Sequence, residues 1–372
     1  MPKRFRCVSL FTGAGLMDEG LRQAGLVADV CYELDRDACD SAKLNGFPAT
    51  RAWFGQRRPG KFRAGQFQSV PSVTRLPPAD VVWGGPPCQS FSVVANPSKP
   101  GYGGRRGTDC DNGRCLLDCV AAGVWAGAMI VLIENVPAVA KPAILKMVSG
   151  QAPGYEVIVQ PFNALSWLPQ SRSRVFLIAA RGRIAGRVRA ALAASPPPAD
   201  CGATLRGCIG HLSPLSAGDE VVSPTPPQAA IMRHLRPGGN WSDVPASVIR
   251  RHGLPCLREC PACGHEFRVG IRRSPDCPRC GRRRDRRSTH YRRASWNGRA
   301  GALVTETTSS STFLAHPDGE RLFSVREYMA LQGLPSDYKF AGSVRSKFRQ
   351  LGNGVPVPAA KWIGGVILSA IG

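Results

Sequence analysis

Four short apolar runs, Cys7–Phe11, Val27–Tyr32, Val81–Trp83 and Met129–Ile133, each stop at residues that do not belong inside a strand. The first enters Thr12-Gly13-Ala14-Gly15, and the second stops at Glu33. The third enters Gly84-Gly85-Pro86-Pro87-Cys88, and the fourth stops at Glu134-Asn135-Val136. A helical pattern from Leu16 to Ala24, closed by Gly25, follows the first run; another, Leu116 to Ala128, precedes the fourth. Apolar runs bounded by turn residues and separated by helices specify an α/β fold with a mostly parallel sheet covered on both faces. Open sheets of this kind bind ligands at the carboxyl ends of their strands. The polar residues that end these runs are therefore site candidates.

Each candidate has its own chemistry. Pro86 and Pro87 fix φ and bias the preceding residue away from helix, so Cys88 is held in a rigid extended turn. An accessible thiol in such a turn suits a nucleophile that attacks electrophilic carbon as the thiolate. From Pro-Pro-Cys alone, a buried cysteine in a tight turn is the competing reading. The glycine turn reads Phe-x-Gly-x-Gly, and Glu33 lies eighteen positions beyond Gly15. That is close to the spacing at which an acid receives a nucleotide ribose. Asp18 stands where a third glycine would serve a pyrophosphate, so a ligand with ribose and no phosphates fits better. A carboxylate such as Glu134 at the end of a buried strand is costly unless hydrogen-bonded or used. Before the strand Val175–Ala179, alternation puts Gln170, Arg172 and Arg174 on one face. Arg51 to Ser72 reads as loop. Asn96 to Arg114 reads as a glycine-rich loop, either a lid over substrate or an ordinary flexible connection.

Charge points to the partner. The chain has 49 Lys+Arg against 26 Asp+Glu, a net charge of +23, which suits a polyanion and above all nucleic acid. A membrane surface would call for a basic amphipathic helix, and none stands out. The N-terminus lacks the apolar core of a signal peptide, and no apolar run is read as long enough to span a bilayer. Fourteen cysteines without an export signal indicate thiols and metal sites, with the cytoplasm as the expected compartment.

Past Arg181 the strand–helix periodicity stops, and Arg183 to Pro198 is Ala/Arg-rich and ends in three prolines, a domain boundary. Cys260-x-x-Cys263 and Cys277-x-x-Cys280, thirteen residues apart, have the spacing of a four-thiolate zinc ribbon, with His252, Cys256 and His265 as spare ligands. From Arg268 to Arg299 there are twelve arginines and two acids. Arg282, Arg283 and Arg284 read as phosphate contacts, with Tyr291 and Trp296 available to stack or wedge. Ser324 and Glu327 form a capping box for a helix that Gly333 ends. The apolar helix Ala359 to Ile371 is expected to pack on the sheet.

Together these motifs resemble the DNA cytosine-5 methyltransferase family. The likeness runs from Val8 to about Ile371 and is broken after Arg181. It rests on the Phe11–Gly15 turn, Glu33, Pro-Pro-Cys88-Gln, Glu134-Asn135-Val136 and Gln170-x-Arg172-x-Arg174. It also rests on Arg326-Glu327 with Gln332-Gly333, and on Gly352-Asn353-Gly354-Val355-Pro356. The resemblance implies a Rossmann-like S-adenosylmethionine-dependent methyltransferase sheet in 1–182 plus 345–372. A smaller, irregular target-recognition domain would occupy 183–344, with the zinc ribbon at about 256–284 as an insertion.

For the cofactor, the resemblance implies a pocket of Phe11, Gly13, Gly15, Leu16, Glu33, Leu34, Pro86, Asn353 and Val355. It makes Cys88 the nucleophile toward cytosine C6, Glu134 the acid at N3 and Arg172 the residue that holds the base or the carboxyl group in place. Gln89, Ser90, Arg174 and Arg282 to Arg284 would touch double-stranded DNA, from which the target base must be flipped. A monomer is expected, in a restriction-modification system with a cognate endonuclease or in a phage. Three positions depart from the family pattern. Ser9 replaces an Asp, Leu34 replaces an aromatic residue, and Ser72-Val73-Thr74 lacks an acid. Two alternatives are an RNA cytosine methyltransferase of the same fold and a catalytically weak zinc-ribbon DNA-binding protein.

Overall fold

The computed structural model describes residues 4–54, 72–73, 75–88, 91, 111–252, 257–259, 263–268, 279–281, 291–308 and 313–372. The chain forms two compact units. One comprises Met1–Cys201, Gln332–Gly342 and Asn353–Gly372; the other comprises Gly202–Leu331 and Ser343–Gly352.

The first unit opens with β1 (Cys7–Leu10), α1 (Leu16–Ala24), β2 (Val30–Glu33), α2 (Arg36–Leu44) and β3 (Ala49–Arg51). A parallel pair, β4 (Trp53–Phe54) and β5 (Ser72–Val73), follows, then β6 (Val81–Gly84), α3 (Asp111–Trp125) and β7 (Ile130–Asn135). The unit continues through α4 (Pro142–Gln151), β8 (Tyr155–Asn163), β9 (Gln170–Ser171), β10 (Ser173–Arg181) and α5 (Arg183–Ala194). Seven strands make one sheet in the order β3-β2-β1-β6-β7-β10-β8. The run from β3 to β7 is parallel, and β10 is antiparallel to both β7 and β8. All six residues of β7 are buried, as a central strand covered on both faces requires. Pro161 interrupts no ladder because β8 is the edge strand.

The strand order reverses between β1 and β6, the kind of crevice where open α/β sheets take ligands. Leu10 pairs with both Tyr32 and Gly84, and Gly84 pairs with Ile133. Phe11, Glu33, Gly85 and Glu134 are thus the next residues on four adjacent strands, level along one edge. Two boundaries differ from those expected. Helix α3 starts at Asp111, ahead of its apolar stripe, and stops at Trp125. Gly127 there turns left-handed (φ 77°) and returns its N–H to the Val124 carbonyl. The Ala/Arg-rich stretch at 183–194 is a helix with Ala185 and Val188 buried.

The second unit has short elements: α6 (Leu205–Ile209), α7 (Pro226–Met232), α8 (Ala246–Arg251), and the antiparallel pair β11 (Leu257–Glu259) and β12 (Glu266–Arg268). Next come β13 (Arg292–Arg293), β14 (Ala300–Gly301), β15 (Leu314–Ala315), α9 (Val325–Leu331) and α10 (Val344–Asn353), with β13 parallel to β15. Buried polar groups organise it. Arg293 donates to the carbonyls of Met232, Leu235, His316 and Gly319. The expected capping box is present: Ser324 N–H donates to Glu327 at 2.7 Å, and Glu327 N–H donates to Ser324 Oγ at 3.2 Å.

In the first unit, α11 (Val357–Ile371) packs against α1 so closely that a Cβ on Gly20 would lie 2.4 Å from the Val357 carbonyl oxygen. Residues 344–371 are together long and apolar enough for a membrane span, contrary to the reading above. They are divided into α10 and α11, however, and Ile363, Val366, Ile367 and Ala370 are core residues.

Glu327 carries more than its cap. Arg321 donates to both carboxylate oxygens (2.8 and 2.9 Å), and His316 Nε2 lies 3.1 Å away, with His316 and Glu327 fully buried. Burial pushes the Glu327 carboxyl up, but the hydrogen bonds from Arg321 and His316 outweigh it and hold the carboxyl down to about 2. Glu327→Ala strands Arg321 and should cost about 3–5 kcal/mol of stability, read by urea unfolding at neutral pH. Stability from this depressed carboxyl is present above the ordinary Glu value. It should fall away in wild type, and not in the variant, as pH drops from about 4 toward 2.

Candidate active site

The glycine turn is built to a fixed shape. Phe11 adopts a left-handed φ of 52°, which costs a side-chain-bearing residue about 1–3 kcal/mol and persists only where neighbours enforce it. They do so here. Thr12 N–H donates to the Tyr32 carbonyl (3.2 Å), Gly13 N–H to Glu33 Oε2 (2.7 Å) and Gly15 N–H to the Thr12 carbonyl (3.0 Å). Glu33 Oε1 accepts Asp35 N–H at 2.7 Å, so one carboxylate clamps the turn after β1 to the start of α2. Burial pushes the Glu33 carboxyl up, and these backbone donors oppose it. Gly15, at φ 85°, has no room for a side chain. A Cβ would sit 2.8 Å from the Phe47 ring and 2.9 Å from the Tyr338 hydroxyl.

The Cys88 loop is pinned from two sides. Buried Asn135 donates its amide to the Pro86 carbonyl at 3.1 Å, and Phe91 N–H donates to the Cys88 carbonyl at 3.0 Å with its ring in the core. Cys88 itself is half-buried. Burial pushes its thiol up, the Glu134 charge adds to this, and Arg174 and Arg172 pull it down. At neutral pH the resting residue is the thiol.

Glu134 projects from β7 into the same space. Arg174 Nε lies 3.3 Å from Glu134 Oε1, an ion pair not aligned as a hydrogen bond; among the described residues that buried oxygen has no hydrogen-bond donor. Burial raises the Glu134 carboxyl against the pull of Arg174 and Arg172. Arg172 is fully buried, which lowers its guanidinium to about 10 and leaves it cationic. Its Nη2 donates to the Gly354 carbonyl at 3.0 Å, and Gln332, linked to Gln170 at 3.3 Å, donates to the same oxygen at 3.4 Å. A Cβ on Gly354 would meet Leu16 Cδ2 at 2.2 Å, so the segment Asn353–Val355 lies directly on the first residue of α1.

The structure thus brings together Phe11, Gly13, Gly15, Leu16, Glu33, Leu34, Pro86, Cys88, Glu134, Arg172, Arg174, Asn353 and Val355 in one unit. Leu16 and Val355 are buried, and Asn353 is exposed. Gln89, Ser90, Cys260, Cys277, Arg282, Arg283, Arg284 and most of the glycine-rich loop lie outside the described residues. Cys263 and Cys280 are described, but the ribbon's full ligand set is not. Among the described residues no group of three metal-binding side chains occurs.

Asp18 and Asn135 were the less legible contributors. Asp18, read only as a missing glycine, is buried under the turn. Its Oδ1 accepts Trp83 Nε1 at 2.9 Å and faces Cys31 Sγ at 3.8 Å, tying α1 to β6 and β2. Burial pushes its carboxyl up. Its helical position beside Met17 and Leu21 was the available signal, since it shares their buried stripe.

A family model for C-5 cytosine-specific DNA methylases matches residues 5–200 and 242–369. The chain belongs to that family. It is 26% identical over 364 residues to the type II methyltransferase M.Sau96I of Staphylococcus aureus, covering 97% of this chain and 75% of that one. It is 25% identical over 379 residues to the type II methyltransferase M.PspPI of Psychrobacter sp. (strain TA137), covering 98% and 79%. The crystal structure of a candidate DNA modification methyltransferase encoded within an E. coli prophage shares the fold, with a TM-score of 0.58, 16% identity and coverage of 98% and 99%. This C-5 methylase is therefore an enzyme that uses S-adenosylmethionine to methylate cytosine in DNA.

The field around Cys88 is testable. Arg174→Ala removes a positive charge that lowers the thiol, so the pH midpoint for Cys88 alkylation, followed by mass spectrometry of its peptide, should move up. An unchanged midpoint would show that Arg174 does not act on the Cys88 thiol.

Proposed function

We propose that this C-5 methylase acts through a covalent adduct of Cys88 with a cytosine turned out of duplex DNA, as the modification enzyme of a type II restriction-modification system or of a phage. The observation that carries the reading is the meeting of Cys88, Glu134, Arg172 and Arg174 at the strand ends beside the glycine turn. The turn suits S-adenosylmethionine. Each Glu33 oxygen accepts one backbone N–H and keeps a lone pair for ribose hydroxyls. The open first turn of α1 offers backbone donors to a carboxylate, and the half-buried Phe11 ring offers a face to a cation. When bound, S-adenosylmethionine supplies the methyl group.

The chain's own residues do the rest. Cys88 loses its proton to solvent, and the thiolate adds to C6 as the C5–C6 double bond opens. Glu134, held toward its neutral form by burial, donates to N3, so that C5 becomes enamine-like and takes the methyl group. Arg172 holds the base in place. Loss of the C5 proton to a base, with return of the N3 proton to Glu134, then restores the C5–C6 double bond and expels Cys88 as thiolate. Gln89 and Ser90 would assist base flipping.

The second unit would read the DNA. Cys260, Cys263, Cys277 and Cys280 would hold one structural zinc; the cysteine spacing supports this. Arg282 to Arg284 would contact phosphates. A monomer acting in the cytoplasm alongside a cognate endonuclease completes the reading; the type II methyltransferase relatives support its place in a restriction-modification system.

Tritiated methyl transfer to duplex DNA and to RNA tests it. Cys88→Ala should lose essentially all turnover and keep DNA binding, and more than a few per cent of turnover would remove Cys88 from its role. Glu134→Gln should lose about 10²–10⁴-fold in turnover with cofactor affinity near wild type. Cys277→Ser should lower zinc content, weaken duplex binding and flatten its salt slope, because phosphate contacts make binding salt-dependent. Full sequence-specific activity in zinc-free protein would refute the ribbon's part.

A further inference from the structure

Residues 338–342 form a strap in the first unit that none of the motifs above includes. Asn45 makes two reciprocal hydrogen bonds to Lys339, accepting its N–H at 2.9 Å and donating to its carbonyl at 2.8 Å. Ala341 N–H donates to Ser41 Oγ at 2.8 Å. Gly342, at φ 90°, lies so flat on α2 that a Cβ would meet Asp37 Oδ2 at 2.4 Å. The strap is thus fastened along α2, the helix that starts directly after Glu33 and Leu34. Its first residue reaches the other wall of the crevice. Tyr338, buried, donates its hydroxyl to the Ala14 carbonyl at 2.6 Å.

That contact falls on one peptide plane. The Ala14–Gly15 peptide has its carbonyl held by Tyr338 and its N–H held by the Thr12 carbonyl at 3.0 Å. Held at both ends, the plane cannot rotate, and the flanking positive-φ glycines are kept in register. Glycines alone would not do this, because they populate many conformations at little cost. Burial pushes the Tyr338 phenol up, so it remains an O–H donor throughout the working pH range.

We propose that Tyr338 is a positioning residue for the S-adenosylmethionine turn, its hydroxyl holding the Ala14–Gly15 peptide in the cofactor-binding orientation. This rests on the reading that the Phe11–Gly15 turn and Glu33 bind the cofactor. Tyr338→Phe keeps the ring against Phe340 and removes only the hydroxyl. The buried Ala14 carbonyl is then left to seek another partner, and the turn relaxes.

Calorimetric titration of S-adenosylmethionine into the full chain tests this, with wild type, Tyr338→Phe and Glu33→Ala compared and Tm recorded for each. The loss of one neutral buried hydrogen bond should weaken cofactor binding by about three- to tenfold in Tyr338→Phe. kcat at saturating cofactor should stay at the wild-type value, so the defect appears in KM for the cofactor. Wild-type affinity in Tyr338→Phe together with weakened affinity in Glu33→Ala would overturn the role of Tyr338 and keep the turn as the cofactor site. Wild-type affinity in both variants would overturn the placement of the cofactor as well. A lowered Tm with wild-type affinity would make Tyr338 a structural residue only, and would also overturn the proposal.

Discussion

The close approach of β6 to β1 governs where chemistry can occur in this protein. Leu10 and Gly84 are register partners, and a Cβ on Gly84 would lie 2.7 Å from the Leu10 carbonyl oxygen and 3.0 Å from Cys119 Sγ. Glycine there lets the Pro-Pro-Cys loop leave the sheet directly beside the glycine turn. Because β2 and β7 are in register with the same pair, Glu33 and Glu134 reach the crevice from either side. Four functional groups from four strands therefore converge without long loops to carry them. Sites on strand ends are held more precisely than sites on loop tips, which suits a reaction that needs a nucleophile, an acid and a methyl donor in fixed relation.

The same edge shows how burial and charge are balanced. Burial pushes Cys88 toward the thiol and Glu134 toward the carboxylic acid, and the two arginines oppose both shifts. In the proposed reaction the shift suits Glu134, the acid, and works against Cys88, which must become a thiolate. Arg174, paired with Glu134 and half-buried, and Arg172, fully buried, are placed to lower the cost of ionising the thiol. In the proposed reaction, a flipped base that takes the Glu134 proton at N3 would be a better electrophile for the sulfur.

Most of this edge was legible in the sequence because each strand announces its own end. A buried run gives way to Gly, Glu or Pro, and the residue at that break must lie at the sheet's carboxyl edge. That rule marked Cys88, Glu33 and Glu134 as candidates, and the family resemblance gave them roles. Asn135 and Asp18 were harder, since their value lies in what they touch. Asn135 holds the Pro86 carbonyl, and Asp18 holds Trp83 and Cys31. These three partners lie 49, 65 and 13 residues away in sequence, and no local spacing predicts them. The start of α3 at Asp111 was missed for a related reason: its first turn is polar, so periodicity begins only when the buried face does, at Cys115.

Tyr338 is the extreme case. Its 324-residue separation from Ala14 leaves no local trace, and an aromatic residue in a polar stretch reads as core filler. Yet the turn it touches needs outside support. Phe11 is in a left-handed conformation that it does not prefer, and two glycines, Gly13 and Gly15, follow with little stiffness of their own. Within the turn, Thr12, Gly13 and Gly15 have their N–H groups tied by Tyr32, Glu33 and Thr12. Those bonds fix the donors. The Ala14 carbonyl is an acceptor at the crest of the turn, and a strained loop holds its shape only when such acceptors are held too. A phenol from a distant strap supplies that hold, and its two further anchorages on α2 keep it from following the turn if the turn relaxes.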